Sequence, residues 1–464
     1  MSLGLSLTIA VVFTLFGIAS GVPIGYIFGI ACLIFMVMIG DFDSITRLVP
    51  DSFKMLQGFA FLALPLYMMV GSLMLTTSLT TKLFDFLHVV LGRARAAFGG
   101  ALVSFVAIFG AITGSASATI GAIGPLVIPE GIKYGYHKEY TTGLVACASL
   151  IAMLIPPSLS MIVFGVAGHL SIPLLFLATA IPGLLGAIFF IVLNFFFTRR
   201  GELTRLDQPP VISGGEKELT SGGRKELWRK AGAAWPSLAL PVMILGGIYG
   251  GVFTPTEAAV VAVAWIMIYT VVASAVSAVI QRSPSRFGAG LSSVARGFMV
   301  AAKPIGAIGT ICFFMFALSR AFIFAGVPDL ILRVFTAAIP NQIIFLLVVN
   351  VLLIFIGMIM DDMSSCILAG VILLPVALHF GVNPFHFGAI VGVNTGIGNL
   401  TPPVAPNLYL AAGVGDIPVK LYPPNRYVKT VLYLLLFGQL IVLLLTTYIP
   451  QVSLFLPNLW LATR

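Results

Sequence analysis

The sequence predicts an all-α polytopic membrane protein made of two inverted-topology repeats, each holding a re-entrant helical hairpin and an interrupted helix. Three observations lead there. Of 464 residues, 59% are hydrophobic and 9% charged, against about 25% charged in soluble domains, and mean hydropathy is +1.09. Apolar runs at 3–20, 24–39, 59–75, 181–197 and 431–448 have the roughly 17–25 residues a helix needs to cross a bilayer, without the alternation of an outer-membrane barrel. The third observation is a repeat. A shift of 246 positions lays Pro129 on Pro375, Gly135 on Gly381, Pro156–Pro157 on Pro402–Pro403, and GSASAT (114–119) on MDDMSS (360–365).

The first half reads as two close helices (4–19 and 21–40), a connector (41–58), a third helix (59–77) and an amphipathic piece (79–95). A helix–break–helix follows (97–132, around GSASAT), then a helix (140–166) interrupted at Pro156–Pro157, and a last helix (172–198). The N-terminal MSLGLSLTIAVVF lacks the basic start and small-residue cleavage site of a removable signal peptide, so the first helix is expected to stay. Segment 199–230 breaks the apolar pattern with eight Lys/Arg, five Asp/Glu and Gly-Gly and Pro-Pro pairs, the composition of a cytoplasmic linker. The second half repeats the order of the first. Cys32, Cys147, Cys312 and Cys366 lie in or beside apolar runs without metal-ligand spacing, and read as small core residues.

If each helix–break–helix enters and leaves on one side, each half crosses five times, and an odd number inverts the second copy. Charge supports this. With the N-terminus outside, 20 of the 25 Lys and Arg fall on the cytoplasmic side, and only Arg47, Lys54, Arg320, Arg333 and Arg464 fall outside. Hairpins that crossed fully would scatter the basic groups over both faces. The same rule explains the net charge of +9 without a nucleic acid partner.

Four breaks carry the candidate chemistry: 114–119, Pro156-Pro-Ser-Leu-Ser160, 360–365, and 394–407. A tandem proline removes backbone donors and unwinds a helix, and unwound backbone at membrane depth persists only inside protein or beside a water-filled cavity. Freed carbonyls, with the oxygens of Ser115, Ser117, Thr119, Ser364, Ser365, Asn394, Thr395, Asn399 and Thr401, offer mostly neutral ligands suited to sodium. Proton coupling calls for titratable groups within the membrane, and Asp361, Asp362, Glu257, His169, His379 and His386 are the main candidates. The bland alternatives are specific. Small residues such as GSASAT are common at helix contacts, but packing does not require the same defect twice at one offset. Glu257 fits a capping box after Thr254 and Pro255. Asp361–Asp362 either supplies a carboxylate to a cation or stands at a hairpin tip in water, and His169 reads as an interfacial residue at an external turn.

GGIYGGVFTPTEAA (246–259), GSASATIGAIGPLVIPE (114–130), LIPPS (154–158) and GNLTPPVAPNLYL (398–410) resemble the large membrane (permease) subunit of TRAP (tripartite ATP-independent periplasmic) transporters, over roughly residues 4–450. The resemblance implies a sodium-driven importer of an organic acid in the bacterial inner membrane. It implies two partners: a soluble periplasmic substrate-binding protein, and a small four-helix membrane subunit expected as a separate chain. It also implies an elevator, a transport block moving against a scaffold. On that scheme the first repeat (1–198) has scaffold helices 1–58, transport elements 59–166 and closing helix 172–198. The second (231–450) has scaffold helices 231–300, transport elements 301–415 and closing helix 428–448, before a tail at 451–464.

Carried over residue by residue, the resemblance places a first sodium between Ser115, Ser117 and the stretch at Ile155 and Pro156. A second lies between Asp361, Ser364, Ser365 and Gly396, Gly398, Thr401. Substrate lies between the tips near Thr119, Ser158, Asn394, Pro403 and Asn407. MDDMSS departs here from the small residues of GSASAT. The coupling ion is Na+, and no other cofactor or transition metal is expected. Three rivals remain: a sodium–dicarboxylate symporter of similar architecture that works without a binding protein, an intramembrane protease using Asp361 or Ser115, and a passive channel. An aspartyl protease needs facing acids and a serine enzyme needs a base near Ser115; the sequence offers neither, so no enzyme is expected.

Overall fold

The computed structural model describes residues 3–40, 42–91, 95–201 and 223–463, and nearly all of them are helical. The first half runs α1 (Leu3–Ala19), α2 (Ile24–Ile39), α3 (Phe42–Gln57), α4 (Ala63–Thr76), α5 (Leu79–Leu91), hairpin arms α6 (Arg95–Thr113) and α7 (Ala116–Lys133), then α8 (Lys138–Ser149), α9 (Ile151–Leu154), α10 (Leu159–Ala167) and α11 (Ile172–Arg200). The second half runs α12 (Gly223–Tyr249), α13 (Pro255–Ile280), α14 (Ser285–Phe324), α15 (Val327–Ala338), and hairpin arms α16 (Gln342–Ile359) and α17 (Asp362–Leu368), the latter extended through a π-turn (Ala369–Leu373) into α18 (Leu374–His379). The chain continues with α19 (Pro384–Leu400), α20 (Pro406–Val414), α21 (Arg426–Leu434), a π-turn (Leu435–Gln439), α22 (Leu440–Tyr448) and a final α23 (Gln451–Ala462). Among the described residues, seven helices are long and apolar enough to cross a membrane, or nine if two bent pairs each count as one span. This is a multi-pass membrane protein. Arg93 and most of the linker (202–222) lie outside the described residues.

The two halves share one element order, with differences that have physical causes. Segment 41–58, expected as a connector, forms the amphipathic helix α3, whose Phe53 packs on Phe313 of α14 at a ring separation of 5.0 Å. Its counterpart in the second half is fused to the next span: α14 runs unbroken for 40 residues through Pro304 and across the expected scaffold limit at residue 300. Tail residues 451–462, which carry no motif, form α23 against α11, and Trp460 Nε1 donates to the Tyr249 carbonyl at 3.3 Å. Polar ties hold the peripheral helices. Lys230 pairs with Asp85 at 2.8 Å, and Tyr67 Oη donates to the Pro255 carbonyl at 3.0 Å. All four cysteines are buried and free.

Packing at the centre follows the 246-residue offset reciprocally. A Cβ built on Gly124 of the first hairpin would stand 2.5 Å from Val414 Cγ1 of the second repeat. The equivalent position, Gly370 of the second hairpin, sits against Ala167 and Gly168 of the first, with a built Cβ 3.1 Å from Ala167 Cβ. Since Gly124 maps to Gly370 and Gly168 to Val414, each hairpin packs on the short post-break helix of the other repeat. Contacts that exchange in this way are the signature of a two-fold relation between the copies.

Candidate functional site

Both hairpin tips are built by the same local chemistry. Ser115 caps α7, its Oγ accepting from Ala118 N at 3.4 Å, and Thr119 Oγ1 donates back to the Ser115 carbonyl at 2.7 Å. At the equivalent positions Asp361 caps α17, its Oδ2 accepting from Ser364 N at 3.3 Å and Met363 N at 3.1 Å. Ser365 Oγ then donates to the Asp361 carbonyl at 2.8 Å. So MDDMSS keeps the roles of GSASAT while changing the residues: a cap oxygen satisfies orphan helix N–H groups, and the carboxylate replaces a hydroxyl in that post. Asp361 Oδ1 also accepts from Ser364 Oγ at 2.5 Å. Asp361 is therefore part of the tip's own hydrogen bonding and only partly exposed.

Each tip meets the break of its own repeat. Leu159 N, just past the first break, donates to the Gly114 carbonyl at 3.1 Å, and its equivalent Ala405 N donates to the Met358 carbonyl at 3.2 Å. The breaks span 155–158 and 401–405, and both proline pairs are joined by cis peptide bonds. The repeats are stitched together where Asp362 Oδ2 of the second hairpin accepts from Ser160 Oγ of α10 at 3.0 Å. Each tip thus stands at the break of an interrupted helix, between α9 and α10 in the first repeat and between α19 and α20 in the second. Four helix starts (α7, α10, α17, α20) and four helix ends (α6, α9, α16, α19) gather in this one region. Helix starts favour anions and helix ends favour cations.

The sequence-derived candidates sort by position. Ser115 and Ser117 sit together with hydroxyls 3.1 Å apart, Ser115 buried and Ser117 exposed. Ile155 and Pro156 lie in the first break, Ile155 half-buried and extended. Ser364 and Ser365 are fully buried at the second tip. Thr119 is buried and hydroxyl-bonded to Thr113 at 3.0 Å. The expected break at 394–407 is shorter than the sequence implied: α19 stays helical through Leu400, and only Thr401–Ala405 unwinds. Asn394, Gly396, Gly398 and Asn399 therefore sit on a helix. The physical reason is close approach. Gly398 lies against the backbone of Gly357 in the first arm of the second hairpin, and Asn399, its amide nitrogen turned toward that arm, donates to the Gly357 and Met360 carbonyls at 3.1 and 3.0 Å.

Thr401, half-buried at the start of the break, donates from Oγ1 to the Ile397 carbonyl at 2.7 Å. Ser158 is fully buried and caps α10, donating to the Met153 carbonyl at 2.5 Å. Asn394 belongs to a buried network with Asn350 (2.8 Å), itself bonded to Thr447 at 3.1 Å. Pro403 is exposed and Asn407 buried at the start of α20. Ser160, Gly357 and Asn350 are the site residues that sequence reasoning left unassigned. Ser160 was within the quoted first break; the other two carry no local signal. Among the described residues no three His, Cys, Asp or Glu cluster as a metal site.

Two paired hairpins and interrupted helices, related by one offset and meeting at mid-fold, define a membrane transporter built on repeats. Residues 10–452 match the family described as tripartite ATP-independent periplasmic transporter, DctM component. The chain belongs to that family, one of transporters rather than enzymes. It is 32% identical over 425 residues to the C4-dicarboxylate TRAP transporter large permease protein DctM of Pseudomonas aeruginosa, covering 90% of this chain and 91% of that one. It is 32% identical over 441 residues to the isethionate TRAP transporter permease protein DctMQ of Oleidesulfovibrio alaskensis, covering 94% of this chain but only 64% of that longer protein. In fold it is similar to the crystal structure of the Alcanivorax borkumensis YdaH transporter, with a TM-score of 0.56, 17% identity, and coverage of 91% of this chain and 90% of that one.

Proposed function

We propose that this chain is the membrane permease of a sodium-coupled organic acid importer in the bacterial inner membrane, with the N-terminus periplasmic and segment 199–230 cytoplasmic. A periplasmic binding protein delivers the substrate, and a small four-helix membrane subunit braces the scaffold. The substrate is an organic anion of the carboxylate class, as the C4-dicarboxylate relative suggests. The observation that carries this reading is the matched pair of tips: Ser115 with Thr119, and Asp361 with Ser365, each capping a helix start against an unwound segment. Cations suit the helix ends and hydroxyl oxygens of these two places, and an anionic substrate suits the helix starts between them. In this scheme Ser115, Ser117, Ile155 and Pro156 serve the first sodium, and Asp361, Ser364, Ser365, Gly396, Gly398 and Thr401 the second. The substrate space borders Thr119, Ser158, Asn394, Pro403 and Asn407, and the hairpins move with the interrupted helices as an elevator.

Thermal unfolding of the purified protein in NaCl, KCl and choline chloride tests the sodium sites without needing the substrate. A ligand at about 100 times its Kd stabilises by roughly 2.7 kcal/mol, so sodium alone is expected to raise the melting temperature. Ser115→Ala and Thr401→Ala are expected to shrink that rise while leaving assembly intact; an undiminished sodium response in both variants would overturn the assignment. Reconstituted uptake that needs both partners separates this reading from a symporter working without a binding protein.

Glu257 stands outside the mechanism. It closes a capping box with Thr254 at the exposed start of α13, accepting from Thr254 N and Thr254 Oγ1 at 2.8 Å each. Glu257→Gln is expected to keep the sodium dependence of uptake, with at most a small loss of stability from the weakened capping box. Loss of sodium dependence in that variant would make Glu257 a coupling residue instead.

A further inference from the structure

Beside the second hairpin lies an apolar cavity of about 410 Å³ that the transport scheme does not use. Six helices (α1, α2, α14, α15, α16 and α17), the π-turn of the second hairpin and Met360 at its tip line it. Ala10 of α1, Ala31 of α2, Met315 of α14, Ile331 of α15, Phe355 of α16 and Ile372 of the π-turn represent its walls. Of its twenty lining residues only Thr14 carries a hydroxyl, and that hydroxyl is taken by the Ala10 carbonyl at 2.8 Å. Nothing in the lining would hold water, and apolar cavities of about 150 Å³ already stay dry and accept benzene-sized guests.

Two features identify the guest. Ala10 and Ala31 are 2% and 0% exposed and lie deep, whereas Val11, Leu15 and Phe355 are 48%, 44% and 56% exposed and stand at the rim. The cavity thus opens sideways along spanning helices, where the bilayer lies. A helix with its side chains is about 10 Å across, so a single turn would take up roughly 400 Å³. A cavity of about 410 Å³ therefore holds no more than one turn of a helix, and a partner's spanning helix of about 20 residues does not fit, while a flexible hydrocarbon chain does.

We propose that this cavity binds one acyl chain of a bilayer phospholipid, wedged between α1–α2 and the second hairpin. Met360 lines the cavity and precedes the cap residue Asp361, so the guest bears directly on the second tip. Its effect on hairpin movement rests on the transport reading above; its binding does not.

The test uses the full chain in nanodiscs containing a phosphatidylethanolamine with a diazirine near the end of one chain. After irradiation, label is expected on α1 and also within residues 368–373, of which Leu368, Ile372 and Leu373 line the cavity from the hairpin side. Ala31→Phe fills the deep end, and labelling of 368–373 is expected to fall about tenfold, the change that ~1.4 kcal/mol of lost affinity produces. Ala10→Leu fills it with a smaller group, should the first variant not fold. Label confined to α1 and α16, or labelling of 368–373 unchanged in a folded filled variant, overturns the proposal. Loss of that label when the small subunit is co-purified assigns the cavity to the partner and overturns it as well. The sodium response in thermal unfolding is read separately, so failure here leaves the proposed function standing, and the reverse.

Discussion

Gly398→Ala is expected to abolish uptake and lower the melting temperature, whereas Gly396→Ala leaves both near wild type. A Cβ at position 398 would stand 2.6 Å from both Cα and C of Gly357 and 2.8 Å from the Ile354 carbonyl oxygen. All three obstacles are backbone, so no rotamer change relieves them. Overpacking of this kind typically costs about 1–3 kcal/mol, and here it would pry the second hairpin from the interrupted helix that it must accompany. At position 396 the nearest atom is Leu150 Cδ2 at 3.6 Å, ordinary contact with a flexible side chain. Both glycines are proposed around the second sodium, and alanine keeps the backbone carbonyl, so the pair separates packing from ligation. The check is thermal unfolding together with uptake in proteoliposomes holding both partners. Equal behaviour of the two variants would refute the account of the close approach.

The second large effect is expected at the other tip. Gly114 has φ +65, and a Cβ there would fall onto the Pro157 carbonyl oxygen. The left-handed backbone costs a non-glycine residue about 1–2 kcal/mol, and the clash adds roughly 1–3 kcal/mol. The Gly114 carbonyl also holds Leu159 N, the first donor past the break. Gly114→Ala is therefore expected to lose the sodium-dependent rise in melting temperature along with uptake. Gly121→Ala is the control: nothing stands within 4 Å of its Cβ, and alanine favours a helix interior by about 0.5–1 kcal/mol. A Gly114→Ala protein with the wild-type sodium response would show that the tip tolerates displacement from the break.

Much of this architecture was legible in the sequence because its causes are local. Spanning runs follow from composition. Tandem prolines unwind a helix wherever they occur, and Thr254, Pro255 and Glu257 form a capping box within a single turn. The offset of 246 positions, found from a few prolines and glycines, also governs which residues cap the tips and which donors close the breaks. That Asp361 does the work of Ser115 was not legible, because a carboxylate and a hydroxyl share a cap role only once the helix start beneath them is known. Nor was the extent of the second break. Asn394, Gly396 and Gly398 look like unwound sequence, yet a polar, glycine-rich helix persists where its groups find partners in Asn350 and Gly357.

The membrane class, the duplication, the places where helices break and the family to which the chain belongs can all be read from the order of residues, since each depends on covalent order and on effects that act within a turn. It took the folded chain to show that Ser160 meets Asp362 across 202 positions, that each hairpin packs on the opposite repeat, and that α14 runs unbroken. The same holds for the dry cavity that opens beside the second tip. These depend on which surfaces face one another, and the burial and close approach that fix them arise only when the two repeats come together.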